Sequence, residues 1–150
     1  MKVLGANRRA RYEYQFLERL TAGVALTGSE VKSVREGHVK LQDGWVAFEG
    51  GEAFLAGVHI APYENAGYAN HDPTRRRKLL LHRRDIARLA AKVAEKGLTV
   101  VPIAVGLEGN WVKVELALAK GKKLYDKRET IKRRDADREM SRAIRHKDLD

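Results

Sequence analysis

Apolar and polar residues alternate along much of the first 118 residues. From Tyr12 to Leu26 every even position is apolar except Glu18, and residues 112–118 have apolar residues at even positions in the same way. A period of two predicts β-strands with one buried face. Two adjacent glycines at positions 50 and 51 separate the apolar runs 45–48 and 54–58, and Gly109 lies between the runs 100–107 and 112–118. Glycine in such short connections predicts two antiparallel hairpins.

Two other segments have helical spacing. Thr27 and Glu30 have the spacing of a capping box and predict a short helix over residues 29–36 that ends before Gly37. Ile86, Leu89, Ala90 and Val93 predict one face of a second helix, which ends at residue 97. Residues 62–73 lose all periodicity, which predicts a long surface loop and a candidate for function.

The fold class that follows is mainly β with short helices. About six strands are predicted, and a small closed antiparallel β-barrel of the oligonucleotide-binding (OB) type suits them, because closure removes exposed strand edges. A plain β-sandwich is the alternative. A chain of 150 residues supports one core. We therefore expect a basic N-terminal lead over residues 1–11, the barrel over residues 12–119 and a basic tail over residues 120–150.

The tail contains alternating charges and few apolar residues. Opposite charges three or four positions apart, such as Glu129 with Arg133, stabilise a helix by only about 0.2–0.5 kcal/mol per pair. Ile131, Met140 and Ile144 offer little surface to bury. We therefore expect a tail that is disordered alone and becomes helical on a polyanionic partner. A terminus that only improves solubility is the alternative.

Charge narrows the choice of partner. The net charge is +10, with 30 Lys and Arg against 20 Asp and Glu, and the pI is about 10.0. This places nucleic acid first among the expected partners and a membrane surface second. No apolar run approaches the roughly 20 residues that cross a bilayer, and charge interrupts the N-terminus before a signal-peptide core forms, so we expect a cytoplasmic protein.

The sequence gives little support for a catalytic site or a metal site. The absence of cysteine excludes disulfides, thiolate metal sites and a cysteine nucleophile. The five histidines match no zinc motif, and no serine lies in a Gly-x-Ser-x-Gly sequence. We therefore expect no enzymatic activity, no metal and no cofactor. An RNA-processing nuclease, whose carboxylates and histidines would converge in a cleft, is the competing hypothesis.

Basic residues are instead interleaved with aromatic ones in three places: the lead, residues 75–84 and the tail. Aromatic planes stack on unpaired bases while guanidinium groups hold phosphates, which favours RNA. The sequence contains no helix-turn-helix or zinc-finger spacing that would favour binding to duplex DNA. Each basic group alone also fits an ordinary solvated surface, and a generic structured-RNA or ribosome-binding barrel without a rescue role remains an alternative.

Six sequence blocks carry a resemblance to a known family. In chain order they are residues 7–12 (NRRARY), 28–33 (GSEVKS), 51–55 (GEAFL), 71–75 (HDPTR), 77–82 (RKLLLH) and 117–128 (ALAKGKKLYDKR). Together they closely resemble the SsrA-binding protein family, also called small protein B. The resemblance implies an OB-type barrel that binds the transfer-RNA-like domain of transfer-messenger RNA and carries it into the empty decoding site of a stalled bacterial ribosome. It also implies a tail that becomes helical in the vacant message channel, no enzymatic activity, and elongation factor Tu as an indirect partner through the aminoacylated RNA.

The resemblance and the basic pattern together give the candidate site residues. The expected RNA-binding residues are Asn7, Arg8, Arg11, Thr21, Lys32, Arg75, Arg77, Lys78, Leu80 and His82. Of these, the resemblance itself supplies Asn7, Thr21, Leu80 and His82, although some relatives carry Glu at the position of Thr21. The expected ribosome-binding residues of the tail are Lys122, Lys123, Tyr125, Asp126, Lys127 and Arg128. The resemblance implies that the last three are needed for tagging after binding, and a planar ring at position 125 fits stacking on ribosomal RNA bases.

Overall fold

The computed structural model describes residues 1–121, and these residues form a mainly antiparallel β structure with short helices. This confirms the predicted class. The strands are β1 (Lys2–Ala6), β2 (Tyr14–Val24), β3 (Val39–Lys40), β4 (Trp45–Glu49), β5 (Glu52–Ala56), β6 (His59–Ile60), β7 (Arg77–Leu80), β8 (Thr99–Glu108) and β9 (Trp111–Gly121). The helices are α1 (Ala10–Glu13), α2 (Gly28–Arg35), α3 (Arg83–Lys96) and a 3₁₀ helix (Glu64–Ala69). The predictions for the tail beyond residue 121 lie outside the described residues.

Seven strands form one sheet in the order β1-β8-β9-β2-β7-β5-β4, and β3 pairs with β6 in a separate ribbon. The long strand β9 pairs with β8 on one side and with β2 on the other. The two end strands, β1 and β4, share no backbone pairing within residues 1–121. β9 is therefore an interior strand next to the central strand β2, and the lead contributes a strand that the sequence pattern did not predict.

Local sequence determines where the helices begin and end. The Thr27 backbone N–H donates to Glu30 Oε1 at 2.8 Å, and the Glu30 N–H donates to Thr27 Oγ1 at 3.4 Å, so the predicted capping box is present. The helix runs from Gly28 to Arg35, one residue earlier than predicted. α3 ends at Gly97, which has a left-handed φ of 63° as expected for a glycine stop. Both predicted hairpins, β4–β5 and β8–β9, are also confirmed.

The sheet carries an apolar cluster on each face. The main cluster includes the buried residues Leu79, Leu89, Val114 and Leu116. Full burial of one such side chain contributes about 1.5–3 kcal/mol, so this cluster accounts for most of the hydrophobic stabilisation. A smaller cluster on the opposite face consists of Ala10, Val101, Ile103, Ala117 and Ala119, with Tyr14 and Phe16 packed against it. This outer cluster places α1 on the sheet.

Three single-residue register shifts interrupt the pairing. Leu17 in β2 is the extra residue between Phe16, which lies opposite Ala119, and Glu18, which lies opposite Leu118. Such β-bulges bend a strand and increase its twist. Corresponding shifts occur at Leu4 in β1 and at Ile103 in β8.

The bulge at Leu17 corrects the sequence prediction for residues 12–26. The even positions do not bury one common face: before the bulge, Tyr14 and Phe16 pack in the outer cluster, whereas Leu20 and Ala22 after it pack in the main cluster. Tyr12 lies in α1 and is 66% exposed. The interruption at Glu18 in the sequence therefore marks a change of face within one strand.

Residues 62–73 form the predicted loop, although part of it is the 3₁₀ helix. Asn70 closes this loop, because its side chain accepts from the Tyr63 N–H at 2.9 Å and donates to the Tyr63 carbonyl at 2.8 Å. His71 then contacts Ser29 Oγ through Nδ1 at 2.8 Å and the Ile60 carbonyl through Nε2 at 2.9 Å. Within residues 1–121, no helix has both the length and the apolar character needed to cross a membrane.

Candidate nucleic-acid interface

Two depressions lie on the outer face of the sheet and are joined by one stretch of β2. The first, the N-terminal cleft, has a volume of about 640 Å³ and is lined by Arg8, Arg11, Tyr12, Arg19 and Glu115, among others. The second, the sheet groove, has a volume of about 530 Å³ and is lined by Gly23, Leu80, Trp111 and Lys113, among others. Arg19, Thr21 and Gly23 occupy alternate positions of β2 between them. We call this continuous surface the outer strip.

The N-terminal cleft is cationic. Arg8, Arg11 and Arg19 line it together with a single carboxylate, Glu115. Arg19 lies 5.4 Å from the centre of the Phe16 ring and 3.7 Å from Glu115, and its side chain is 54% exposed. Because exposed ion pairs are weak, a phosphate could replace this carboxylate as the partner of Arg19.

Asn7 lines this cleft but is almost entirely buried. It is only 5% exposed, and its side-chain nitrogen donates to the carbonyls of Pro102 at 3.0 Å and Leu41 at 3.3 Å. Its side-chain oxygen accepts from the N–H of Ala10 at 3.2 Å, the first residue of α1. The structure therefore gives Asn7 a positioning function, since it fixes α1 and the chain that carries Arg8 and Arg11.

The sheet groove holds one of the expected residues, Leu80, and one that was missed, Trp111, while Thr21 lies on β2 between the groove and the N-terminal cleft. Thr21 is exposed opposite Glu115, and Leu80 is 54% exposed opposite Gly23. Trp111, at the start of β9, is 72% exposed. His82 is exposed at the N-cap of α3, two residues after Leu80, and makes no capping hydrogen bond through its side chain. Thr21 and Leu80 are thus exposed on the outer strip, and His82 is exposed two residues beyond Leu80.

The arginines at 75 and 77 converge on one buried carboxylate. Glu30 is fully buried and accepts from Arg75 Nη2 at 2.6 Å and from Arg77 Nε at 2.7 Å. Burial is the largest influence on the pKa of Glu30 and acts to raise it, but hydrogen bonds from Arg75, Thr27 and Arg77 together lower that pKa to about 2. Glu30 is therefore ionised at neutral pH.

Arg77 must be reassigned from RNA contact to the interior of the fold. Its side chain is 0% exposed, and it also donates to the carbonyls of Val58 at 2.8 Å and Pro73 at 3.1 Å. Burial lowers the pKa of Arg77, and Glu30 opposes that effect. Arg75 is 38% exposed and is only partly available to a ligand. The cluster ties the loop before β7 to α2 and β6.

The remaining basic candidates lie at the surface with local partners. Lys78 is 2.8 Å from Glu52, and both side chains are about half exposed. Lys32 is exposed on α2 and lies 5.5 Å from the centre of the Tyr63 ring. Neither contact is strong enough to prevent an exchange with phosphate.

Sequence reasoning missed Arg19 and Trp111. Their signal was present: Arg19 lies one residue beyond the interruption at Glu18, and Trp111 is the first residue after the turn at Gly109. The six tail candidates, from Lys122 to Arg128, lie outside the described residues. Within residues 1–121, no group of three or more His, Cys, Asp or Glu side chains is placed to hold a metal ion.

Comparison with known proteins decides the family. A family model described as SmpB protein matches residues 4–146. The chain belongs to the SmpB protein family. SsrA-binding proteins from Solidesulfovibrio magneticus and Trichodesmium erythraeum are each 54% identical to it, covering 95% and 96% of this chain and 93% of each relative. A solved SmpB structure, described as "tmRNA-SmpB: a journey to the center of the bacterial ribosome", has 50% identity and a TM-score of 0.67, covering 79% of this chain and 84% of that chain.

Proposed function

We propose that this protein binds the transfer-RNA-like domain of transfer-messenger RNA and delivers it to stalled bacterial ribosomes for trans-translation. The observation that carries the proposal is the SmpB family match over residues 4–146, joined to the 50% identical SmpB structure described with this RNA and the ribosome. Its role is binding and delivery without catalysis. A ribosomal site of action would place the protein in the cytoplasm, with elongation factor Tu reached through the shared RNA.

The outer strip is the proposed RNA surface. Arg8 and Arg11 hold phosphates in the N-terminal cleft, while Thr21, Leu80 and His82 contact the RNA at and beside the sheet groove. Lys32, Arg75 and Lys78 add positive charge at the margins, and the buried Asn7 and Arg77 act through the elements that they fix. Recognition then depends on RNA shape more than on a base code.

The proposal also includes an OB-type barrel and a role for the tail in ribosome binding. An antiparallel sheet with three β-bulges suits a barrel of the OB type, in which the faces of the strands bind nucleic acid. The basic tail, with Lys122, Lys123, Tyr125, Asp126, Lys127 and Arg128, becomes helical in an empty message channel. A channel that still contains messenger RNA would sterically exclude that helix, so the binding energy that comes from helix formation would be lost.

A competition measurement tests the RNA specificity. Labelled transfer-RNA-like domain is bound at physiological salt and challenged with unlabelled elongator transfer RNA and with ribosomal RNA fragments. We expect both competitors to be much weaker than the unlabelled domain itself. Equal competition would support a generic structured-RNA binder and overturn the specific proposal.

A truncation tests the division between the folded part and the tail. Because β9 continues to Gly121, where it pairs with Tyr14, the cut belongs after residue 121, slightly beyond the predicted boundary at 119. The truncated chain should retain RNA affinity but lose tagging in a reconstituted translation system. Loss of RNA affinity on truncation would contradict this division.

A further inference from the structure

Trp111 has a large apolar side chain that is not buried in either apolar cluster of residues 1–121. It is 72% exposed, whereas Val112 and Val114, which follow it on β9, are buried in the main cluster. One exposed tryptophan has no special meaning alone. Here, however, the ring borders a groove that already contains a second exposed apolar residue, Leu80.

Cross-strand register explains why the groove exists. Gly23 of β2 lies opposite Leu80 of β7 on one side and opposite Lys113 of β9 on the other. A Cβ atom at Gly23 would come within 3.3 Å of the Leu80 side chain, so glycine makes room at the floor of the groove. The absence of a side chain at the middle strand leaves a gap between two walls, Leu80 on β7 and Lys113 with Trp111 on β9.

The chemistry of these walls defines the ligand class. The lining residues are Gly23, Val24, Ala25, Leu26, Val31, Leu80, Asn110, Trp111, Val112 and Lys113. They include one cation and no carboxylate, with Asn110 as a donor and acceptor beside the indole ring. An apolar slot with an amide and an ammonium group at its rim fits an unpaired nucleobase, which offers flat faces, polar edges and an attached phosphate.

Charge complementarity favours RNA over an apolar protein segment. Thr21 separates the groove from the N-terminal cleft along β2, because it lies two residues from Gly23, which lines the groove, and two from Arg19, which lines the cleft, a spacing of about 7 Å in each direction. An RNA strand that places phosphates on the cleft arginines is thereby brought to the groove. The protein carries a net charge of +10, which also opposes self-association.

We infer that the Leu80–Gly23–Trp111 groove holds one unpaired base of the bound RNA, with the Trp111 indole stacked on that base and Lys113 facing the adjoining phosphate. This inference rests on the proposed function, and it adds a residue that stacks on an extruded base. Trp111 therefore contributes affinity through its ring, not through charge.

The two tryptophans of the chain allow a direct test by fluorescence. Trp45 lies on β4, away from the outer strip, so Trp45→Phe leaves Trp111 as the only indole and Trp111→Phe leaves Trp45 as the matched control. On saturation with the transfer-RNA-like domain, we expect strong quenching of Trp111 and little change of Trp45. Unchanged Trp111 emission at saturation would overturn the inference.

Affinity measurements on the full chain separate stacking from charge. Trp111→Phe should bind the domain within about threefold of the original protein, and Trp111→Ala about tenfold more weakly, the loss of one modest base–ring contact. Trp111→Lys adds charge but removes the ring, so we expect it to bind as weakly as Trp111→Ala. Full affinity in Trp111→Lys would show a phosphate site and reject base stacking.

Two controls distinguish the possible failures. If the original protein binds transfer RNA as tightly as the transfer-RNA-like domain, the proposed function fails. The groove inference can still be tested in that case, by measuring whether the structured RNA that does bind quenches Trp111 fluorescence. If Trp111→Ala changes the sedimentation of the free protein and leaves RNA affinity unchanged, the groove is a contact between copies of this chain and the inference is wrong.

Discussion

Glu30 is the buried carboxylate that binds Arg75 in the loop before β7 and Arg77 at the start of β7. Replacing it by glutamine keeps its size but removes the charge that offsets Arg77, and both Glu30 and Arg77 have side chains that are 0% exposed. Removal of one partner from a buried ion pair typically costs about 3–5 kcal/mol, because the other charge is left uncompensated. We expect Glu30→Gln to lower the free energy of unfolding by about that amount, measured by urea denaturation at pH 7.

The matched control is Glu49→Gln. Glu49 also binds an arginine, Arg76, at 3.1 Å, but its side chain is 65% exposed, so the loss should stay below about 1 kcal/mol. If the two variants lose the same stability, the buried cluster does not have the importance assigned to it.

Acid should remove the contribution of Glu30 in a defined range. The pKa of Glu30 is about 2 in the folded protein against an ordinary 4.5, so its carboxylate favours the folded state fully above pH 4.5. That contribution is lost as the pH falls from 4.5 towards 2 and, at 1.36 kcal/mol for each pKa unit, amounts to about 3 kcal/mol. The stability difference between the original protein and Glu30→Gln should therefore shrink over this range. Parallel pH profiles would refute the reasoning.

Three further predictions concern the N-terminal cleft and α2. Asn7→Ala should lower the free energy of unfolding by about 1–3 kcal/mol in chemical denaturation, because the buried groups that it bonds lose their partner; an unchanged stability would argue for a surface role instead. Arg8→Gln and Arg11→Gln should leave the stability of the fold unchanged. In filter binding, each should reduce the slope of log affinity against log salt concentration by about 0.7–0.9. An unaltered slope would mean that the arginine concerned does not contact a phosphate. Thr27→Ala should lower the free energy of unfolding by about 1 kcal/mol in thermal unfolding, because the helix cap is lost. Thr74→Ala, an exposed position outside any helix cap, is the comparison. Equal losses in the two variants would mean that the cap does not contribute.

Local chemistry made much of the fold predictable. The Thr27 and Glu30 pair and the glycine at 97 act on neighbouring backbone groups, so the helix boundaries could be placed within one or two residues. Long-range effects were not predictable in this way. The interruption at Glu18 marks the place, but the local pattern does not identify Leu17 as an extra residue, because a bulge is defined by the partner strand.

The candidate site shows the same distinction. Arg8, Arg11 and Thr21 are exposed as expected, since charged and polar residues at turns and on outer strand positions usually face solvent. Arg77 belongs to a basic run but alternates with Arg76 and Lys78 along β7, so its side chain points inward to Glu30, 47 positions earlier in the chain. Only the three-dimensional pairing of α2 with the loop before β7 gives it that partner.

The three bulged residues surround the same depression. Leu4, Leu17 and Ile103 interrupt β1, β2 and β8, the strands that supply Val3, Arg19, Ile103 and Ala104 to the walls of the N-terminal cleft. Each inserted residue adds local curvature, and of the three, Ile103 also lines the cleft while Leu4 and Leu17 do not. Members of this family could therefore reshape the surface that meets RNA by gaining or losing single amino acids in strands, while every arginine of the cleft remained the same.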